Sequence, residues 1–188
     1  MNKTEISFAY RDIFRKFLDP CALKLPYMNV NLCVFAFVGL MVLAVLKYLS
    51  LALLAHYGQV LNPYLDYSLV DALIWAFPHD IKDLARILFA ASIEELVFRG
   101  LFFWACMRLL PSLLRDLSTQ AITLASIISS AALFSLFHLV NLFTLPLAVV
   151  VSQVLFALLA GLYMGWLRAE SKSIFLPIAA HSLLNLFL

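Results

Sequence analysis

The run Ala85–Leu110 is apolar and long enough to cross a bilayer, yet it holds Glu94, Glu95 and Arg99 within six positions. A helix rises about 1.5 Å per residue and the hydrocarbon core is about 30 Å thick, so about 20 residues suffice for a crossing. Ionised and unpaired, each such charge costs about 2.5–3.5 kcal/mol at the membrane centre. Helical spacing divides the cluster. Glu95 and Arg99 stand at i and i+4 with the acid N-terminal, the favourable order for a pair on one face. Glu94 is turned about 100° away from Glu95, where Arg99 does not readily reach it. One tied carboxylate and one free one are expected. A structural salt bridge accounts for the first and leaves Glu94 without a reason.

The rest of the chain is of the same kind. With 64% hydrophobic and 13% charged residues it lies far from a soluble domain. The expected fold is all-α, a polytopic membrane helix bundle with about five spanning helices and an N-terminal interfacial helix. From Ile6 to Leu18, Ile6, Tyr10, Ile13, Phe14 and Phe17 share a face and Arg11, Asp12, Arg15 and Lys16 fall on others, which suits a helix lying on the membrane or one packed against the rest of the protein. The first span is expected at Met28–Leu54, with Lys47 snorkelling to the interface. A polar connector, His56–Asp83, contains an apolar piece, Ser68–Phe77, too short to span. The second span is Ala85–Leu110, ending before Pro111. The third is Thr119–Phe143, the fourth Pro146–Leu167 with a polar turn Arg168–Ser173 after it, and the fifth, short, is Ile174–Leu188. Residues 1–82 read as the interfacial helix, first span and connector, and 83–188 as a membrane core that holds the charged cluster.

Lys3, Arg11, Arg15, Lys16 and Lys24 precede the first span, Arg108 and Arg115 follow the second, and Arg168 and Lys172 follow the fourth. The positive-inside rule then places the N-terminus in the cytoplasm and the C-terminus outside. A net charge of +2 is too small to imply nucleic acid. Cys21, Cys33 and Cys106 form neither a disulfide framework nor a CxxC zinc site. Charges interrupt the apolar residues of Met1–Leu18 and no small-residue cleavage site follows, so a cleaved signal peptide is not expected.

Two more polar pairs lie in apolar segments. His138 follows Phe134 by four positions, and Asn185 follows His181 by four, so each pair shares a helix face. Polar residues at such depth face a bundle interior or a water-filled cavity. A carboxylate and a His can together deprotonate water, and a second His with an Asn can donate to a developing oxyanion. That set suffices to hydrolyse an amide without a covalent intermediate. HExxH and GxSxG are absent. Three protein ligands with a water could hold zinc, so the residues alone leave a metal open. A proton-coupled carrier, or a non-enzymatic immunity or scaffold protein, could use the same Glu and His. A carrier more often shows repeats or paired broken helices, and neither is present.

EExxxR, FxxxH and HxxxN, in this order on successive apolar segments, resemble the CPBP family, the CAAX prenyl proteases and bacteriocin-processing (Abi-type) intramembrane proteases. The resemblance covers roughly Asp83–Leu188, including Gly161–Gly165 and the Pro177–His181 approach. It implies a metal-independent glutamate protease with no cofactor, in which Glu94 and His138 activate water. His181 and Asn185 would form the oxyanion hole, with Glu95, Arg99 and Phe134 supporting the site. The implied partners are the bilayer and a membrane-anchored or exported protein or peptide, cleaved near its terminus: a CAAX-like end, a leader or a C-terminal sorting signal. The small size and lack of a soluble domain point to a prokaryotic inner membrane. With the charge-based orientation, Glu94, His138 and His181 lie from mid-membrane toward the outer face, which favours exported substrates.

Overall fold

A backbone in hydrocarbon has to satisfy its N–H and C=O groups within the segment, which leaves helices for runs like these. The computed structural model describes residues 29–61, 80–114 and 117–186, and every regular element among them is helical. Helix α1 is Val30–Leu61; α2 is Ile81–Glu95, continued by a π-helical segment Leu96–Phe102 and by α3, Phe103–Leu113. Helix α4 is Thr119–Phe137, extended by a 3₁₀ segment His138–Phe143; α5 is Leu147–Ser171 and α6 is Phe175–Leu186. The expected interfacial helix Ile6–Leu18 and the apolar piece Ser68–Phe77 lie outside the described residues.

Among the described residues, three segments are long and apolar enough to cross a membrane by themselves: Val30–Ser50, Thr119–Phe143 and Leu147–Ser171. The α2–π–α3 rod is longer than any of them but carries the charge cluster at its middle. Helix α6, at 12 residues, extends only about 18 Å, less than the hydrocarbon thickness. These five rods make the helical membrane bundle. It is built inside out. Phe35, Phe37, Val42, Leu124, Leu136 and Leu155 point outward, while Glu95, Arg99, Ser126, Ser130, Ser135 and His181 are buried. Polar groups inside and large apolar groups outside are what lipid as solvent selects.

Several boundaries differ from expectation. Helix α2 begins at Ile81 because the Asp80 side chain accepts from the N–H groups of Lys82 and Asp83, both at 2.8 Å, as an N-cap. The rod runs through Pro111 to Leu113, two residues beyond a proline that removes only one late hydrogen bond. Helix α5 reaches Ser171, past the expected Leu167, and stops at Lys172 with φ 53°, the left-handed position that ends many helices. Ser171 Oγ closes that turn by donating to Ser173 O at 3.1 Å.

The most extensive pairing is between α4 and α5. Helix α4 buries Ile122, Ser126, Ile127, Ser130, Ala131, Phe134 and Ser135, a single helical stripe. Gly161 and Gly165 of α5 face it, and their spacing is the small-xxx-small pattern that lets two backbones approach. A Cβ on Gly161 would stand 3.0 Å from Ala131 Cα and 3.1 Å from an Arg99 guanidinium nitrogen; one on Gly165 would stand 3.0 Å from Ile127 Cγ2. Ser135 Oγ donates across the interface to Val154 O at 2.8 Å. On its other side α5 meets α1, where the Tyr163 ring lies over Gly39 and its hydroxyl donates to Ala36 O. Leu32, Ala36 and Leu43 of α1 join Ala160, Met164, Ala180 and Leu184 in one core.

Because Gly161 abuts backbone on one side and a buried guanidinium on the other, neither neighbour can yield cheaply. Gly161→Ala is expected to destabilise the bundle by about 1–3 kcal/mol, the usual range for overpacking. Unfolding in mixed micelles checks this, and a variant as stable as the parent would show that α4 and α5 can part at no cost.

Candidate functional site

The expected division between the two glutamates is present. Arg99 Nη1 donates to Glu95 Oε1 at 3.0 Å, and both side chains are fully buried. Glu94, turned away, has a side chain 30% exposed and makes no contact with Arg99 among the described residues. The guanidinium lies over Phe134, with its carbon 4.3 Å from the ring centroid. A desolvated cation over an aromatic face gains about 2 kcal/mol. Glu95 Oε2, Arg99 Nε and Arg99 Nη2 make no hydrogen bond among the described residues, so this stacking is the cation's main further compensation.

The second ligand of Glu95 is not visible in the spacing. His181 Nδ1 lies 2.8 Å from the same oxygen, Oε1. An ionised carboxylate only accepts, so Nδ1 carries the hydrogen and donates. Nε2 is thereby the open nitrogen of His181, and it faces Glu94 Oε2 at 3.7 Å. That separation is too long for a direct hydrogen bond and short enough for ion pairing when the ring is protonated.

His138 reaches the same state by another route. It was expected inside a continuous helix to Phe143, but the α-helix ends at Phe137 and His138 opens the 3₁₀ segment. Its backbone N–H now bonds Ser135 O, leaving Phe134 O without the partner an α-helix would supply. The imidazole takes that place, with Nδ1 2.9 Å from Phe134 O. A carbonyl only accepts, so Nδ1 again donates and Nε2 is left open. Phe134 stands between the two imidazoles, edge-on to His138 at 4.9 Å and to His181 at 5.7 Å between centroids.

His138, His181, Asn185 and Phe134 line one cavity of about 260 Å³. Lys47 and Gln153 line it too, so Lys47 faces this cavity where snorkelling was expected. Glu94 is outside the lining and adjoins it at His181. No hydrogen bond or ion pair joins Glu94 to His138 or to Asn185 among the described residues; His181 joins Glu94 and Glu95 to the cavity. No three His, Cys, Asp or Glu side chains converge as a metal site requires, among the described residues.

Two supporting features were missed in the sequence. The π segment starts directly after Glu95 and contains the buried Phe98, Arg99 and Gly100. Ser130 Oγ donates to Phe98 O at 2.8 Å, binding that widened turn to α4. Such π turns recur at functional sites. Ser126, Ser130 and Phe134 repeat at intervals of four, a signal that one face of α4 is polar and then aromatic.

Residues 81–187 match the family described as type II CAAX prenyl endopeptidase, Rce1-like. The chain belongs to this family. The expected resemblance to the CPBP proteases is borne out, and membership in a family of membrane endopeptidases makes this an integral membrane protein of protease class. No curated protein and no solved structure matches the chain.

The two glutamates differ in what their loss leaves behind. Arg99→Met strands a buried carboxylate, and removing one partner of a buried pair costs about 3–5 kcal/mol. Glu94→Gln leaves every buried bond in place and is expected to change stability by less than about 1 kcal/mol. Unfolding midpoints in detergent compare the two, and equal losses would contradict the division.

Proposed function

We propose that the chain is an intramembrane endopeptidase that cleaves near the end of a membrane-associated substrate, using a water activated by Glu94 and His138. His181 and Asn185 receive the oxyanion, and no cofactor takes part. The observation that carries this reading is the position of His181: Nδ1 anchored on Glu95 at 2.8 Å, Nε2 facing Glu94 at 3.7 Å, and the ring lining the cavity with His138 and Asn185.

The chemistry follows from the hydrogen positions. Glu94 is held by no donor of its own and is partly exposed, so its lone pairs remain available for a water proton. Neutral His138 presents a bare Nε2 that accepts a hydrogen bond from the same water. As the water oxygen bonds to the peptide carbon, its proton passes to Glu94 and the carbonyl electron pair moves to oxygen. Nε2–H of protonated His181 and the Asn185 amide donate to that oxyanion. Collapse breaks the C–N bond, and the proton on Glu94 leaves with the amine. With His181 protonated, the formal charges of Glu94, Glu95, Arg99 and His181 sum to zero, which lowers the cost of holding them within a membrane bundle.

The substrate classes are peptide ends held at a membrane: prenylated CAAX-like termini, leaders or C-terminal sorting signals. The test compares peptide termini across the proteome of membranes holding the parent protein or Glu94→Gln at matched levels, with a chelator present throughout. Termini made by the parent should fall by about 10²–10⁴-fold in the variant, the worth of a positioned base. Unchanged termini would remove Glu94 from catalysis, and loss of the parent's activity under chelation would remove the cofactor-free mechanism.

The same reading places the chain in a prokaryotic inner membrane with its N-terminus cytoplasmic. A C-terminal tag is then expected to be accessible from outside in intact cells; labelling only after permeabilisation would reverse the orientation.

A further inference from the structure

Lys47 is the ionisable side chain of the cavity lining that the hydrolytic chemistry does not use. It lies in Val30–Ser50, a segment long and apolar enough to span a membrane, where an ammonium is expensive. Its side chain is half-buried and lines the cavity that holds His138, His181 and Asn185. The Nζ atom lies 5.7 Å from the Phe156 ring centroid, its sole interaction among the described residues. Among the described residues neither carboxylate of the site pairs with Lys47: Glu95 is engaged by Arg99 and His181, and Glu94 stands beside His181 Nε2 at 3.7 Å. Gln153, on the same lining, accepts from Asn141 Nδ2 at 2.8 Å through Oε1, a bond that does not use its amide hydrogens. The cavity wall therefore offers a cation with no carboxylate partner among the described residues, next to the groups proposed to cut the peptide.

We propose that Lys47 is a specificity-determining residue that receives a carboxylate of the bound peptide, supplied by its free C-terminus. This rests on the peptidase reading of the cavity. The cavity of about 260 Å³ falls below the roughly 300–1,000 Å³ of ordinary small-ligand pockets, so it suits the end of a chain better than its passage. A terminal carboxylate on Lys47 places the last residues of the substrate in the cavity and the scissile bond beside His138 and His181. Selection of an anionic end by one buried cation follows from desolvation, because the same ammonium facing an uncharged end stays unpaired. An acidic side chain near the terminus carries the same group, and the test separates the two sources.

Three peptides serve as probes, each prenylated on cysteine and ending Cys-Val-Ile-Met: one with a free C-terminal carboxylate, one with a C-terminal amide, and one amidated with glutamate in place of the last residue. Binding to protein in nanodiscs is measured by fluorescence anisotropy in a Glu94→Gln background, and cleavage by mass spectrometry in the parent. The free acid should bind about 10- to 100-fold tighter than the amide, the range for a hydrogen bond to a charged group. Lys47→Met should bring that ratio toward one, and Lys47→Arg should restore most of it. An acid-to-amide ratio of one in the parent, or the same ratio in Lys47→Met as in the parent, overturns the proposal. Preference for the glutamate-bearing amide over the free acid overturns the C-terminus as the source of the carboxylate. Selective binding without any cleavage would sink the peptidase reading and leave Lys47 as the anion site; cleavage without selectivity would do the reverse.

Discussion

A single carboxylate oxygen, Glu95 Oε1, ties the bundle together. It accepts from Arg99 at 3.0 Å and from His181 at 2.8 Å, joining the α2–π–α3 rod to α6 across 86 positions of sequence. Arg99 carries the connection on to α4 by lying on Phe134, and to α5 at Gly161, where a side chain of any size would press on the guanidinium. In water such a pair adds little net stability, because desolvation offsets most of the attraction. In a membrane the comparison changes, since unfolded alternatives within lipid offer these charges nothing better. The pair then acts as a register pin: helices that slide leave a buried charge unmatched.

The same oxygen also sets the chemistry of the site. By taking the Nδ1 hydrogen of His181 it fixes which ring nitrogen stays open, and the backbone break at Phe137 does likewise for His138 through Phe134 O. Two unrelated devices, a buried carboxylate and a helix end, thus hold both imidazoles by Nδ1 and leave Nε2 of each outside those bonds. Both local irregularities sit at the site, a π segment after Glu95 and a 3₁₀ segment from His138. Each frees or redirects a backbone carbonyl, and a side chain claims it: Ser130 at Phe98 O, His138 at Phe134 O. Departures from regular helix carry a cost that these bonds offset, and regular helices would hold the rings differently.

What the sequence made legible was what local spacing controls. Glu95 and Arg99 share a face because helices place i and i+4 together, and Glu94 is separate for the same reason. The motifs also carried the family. Tertiary partners were not legible. Nothing in the spacing indicates that Glu95 serves His181, and a reading by residue type alone leaves the pairing of Glu94 with either histidine open. Boundaries failed at Asp80, whose cap starts α2 before the apolar run, and at Pro111, which α3 runs through; the third span kept its expected ends, Thr119 and Phe143, but changes helix type at His138. Lys47 was read from hydropathy as a snorkelling residue because a helix wheel has no cavity in it. The face of α1 on which Lys47 lies was decided by Tyr163 docking over Gly39, a contact 124 positions away in the chain.

That docking bears on how chemistry and selection are divided. Residues 81–187 match the family and contain the glutamates, both site histidines and Asn185. Helix α1 lies outside that match, yet it closes the cavity with Lys47 and packs on α5 and α6 through Leu32, Ala36 and Leu43. Catalytic groups tolerate little displacement, since a proton transfer needs its partners within hydrogen-bond reach. A wall contributed by a separate helix is under no such constraint. Its residues can change charge or size while Glu95, Arg99 and Phe134 hold the reacting groups in place. Under the proposed assignment, the matched core supplies the hydrolytic step and α1 supplies the choice of peptide end. The bundle can then accept a new substrate by altering α1, which among the described residues forms no hydrogen bond or ion pair with Glu95 or Arg99.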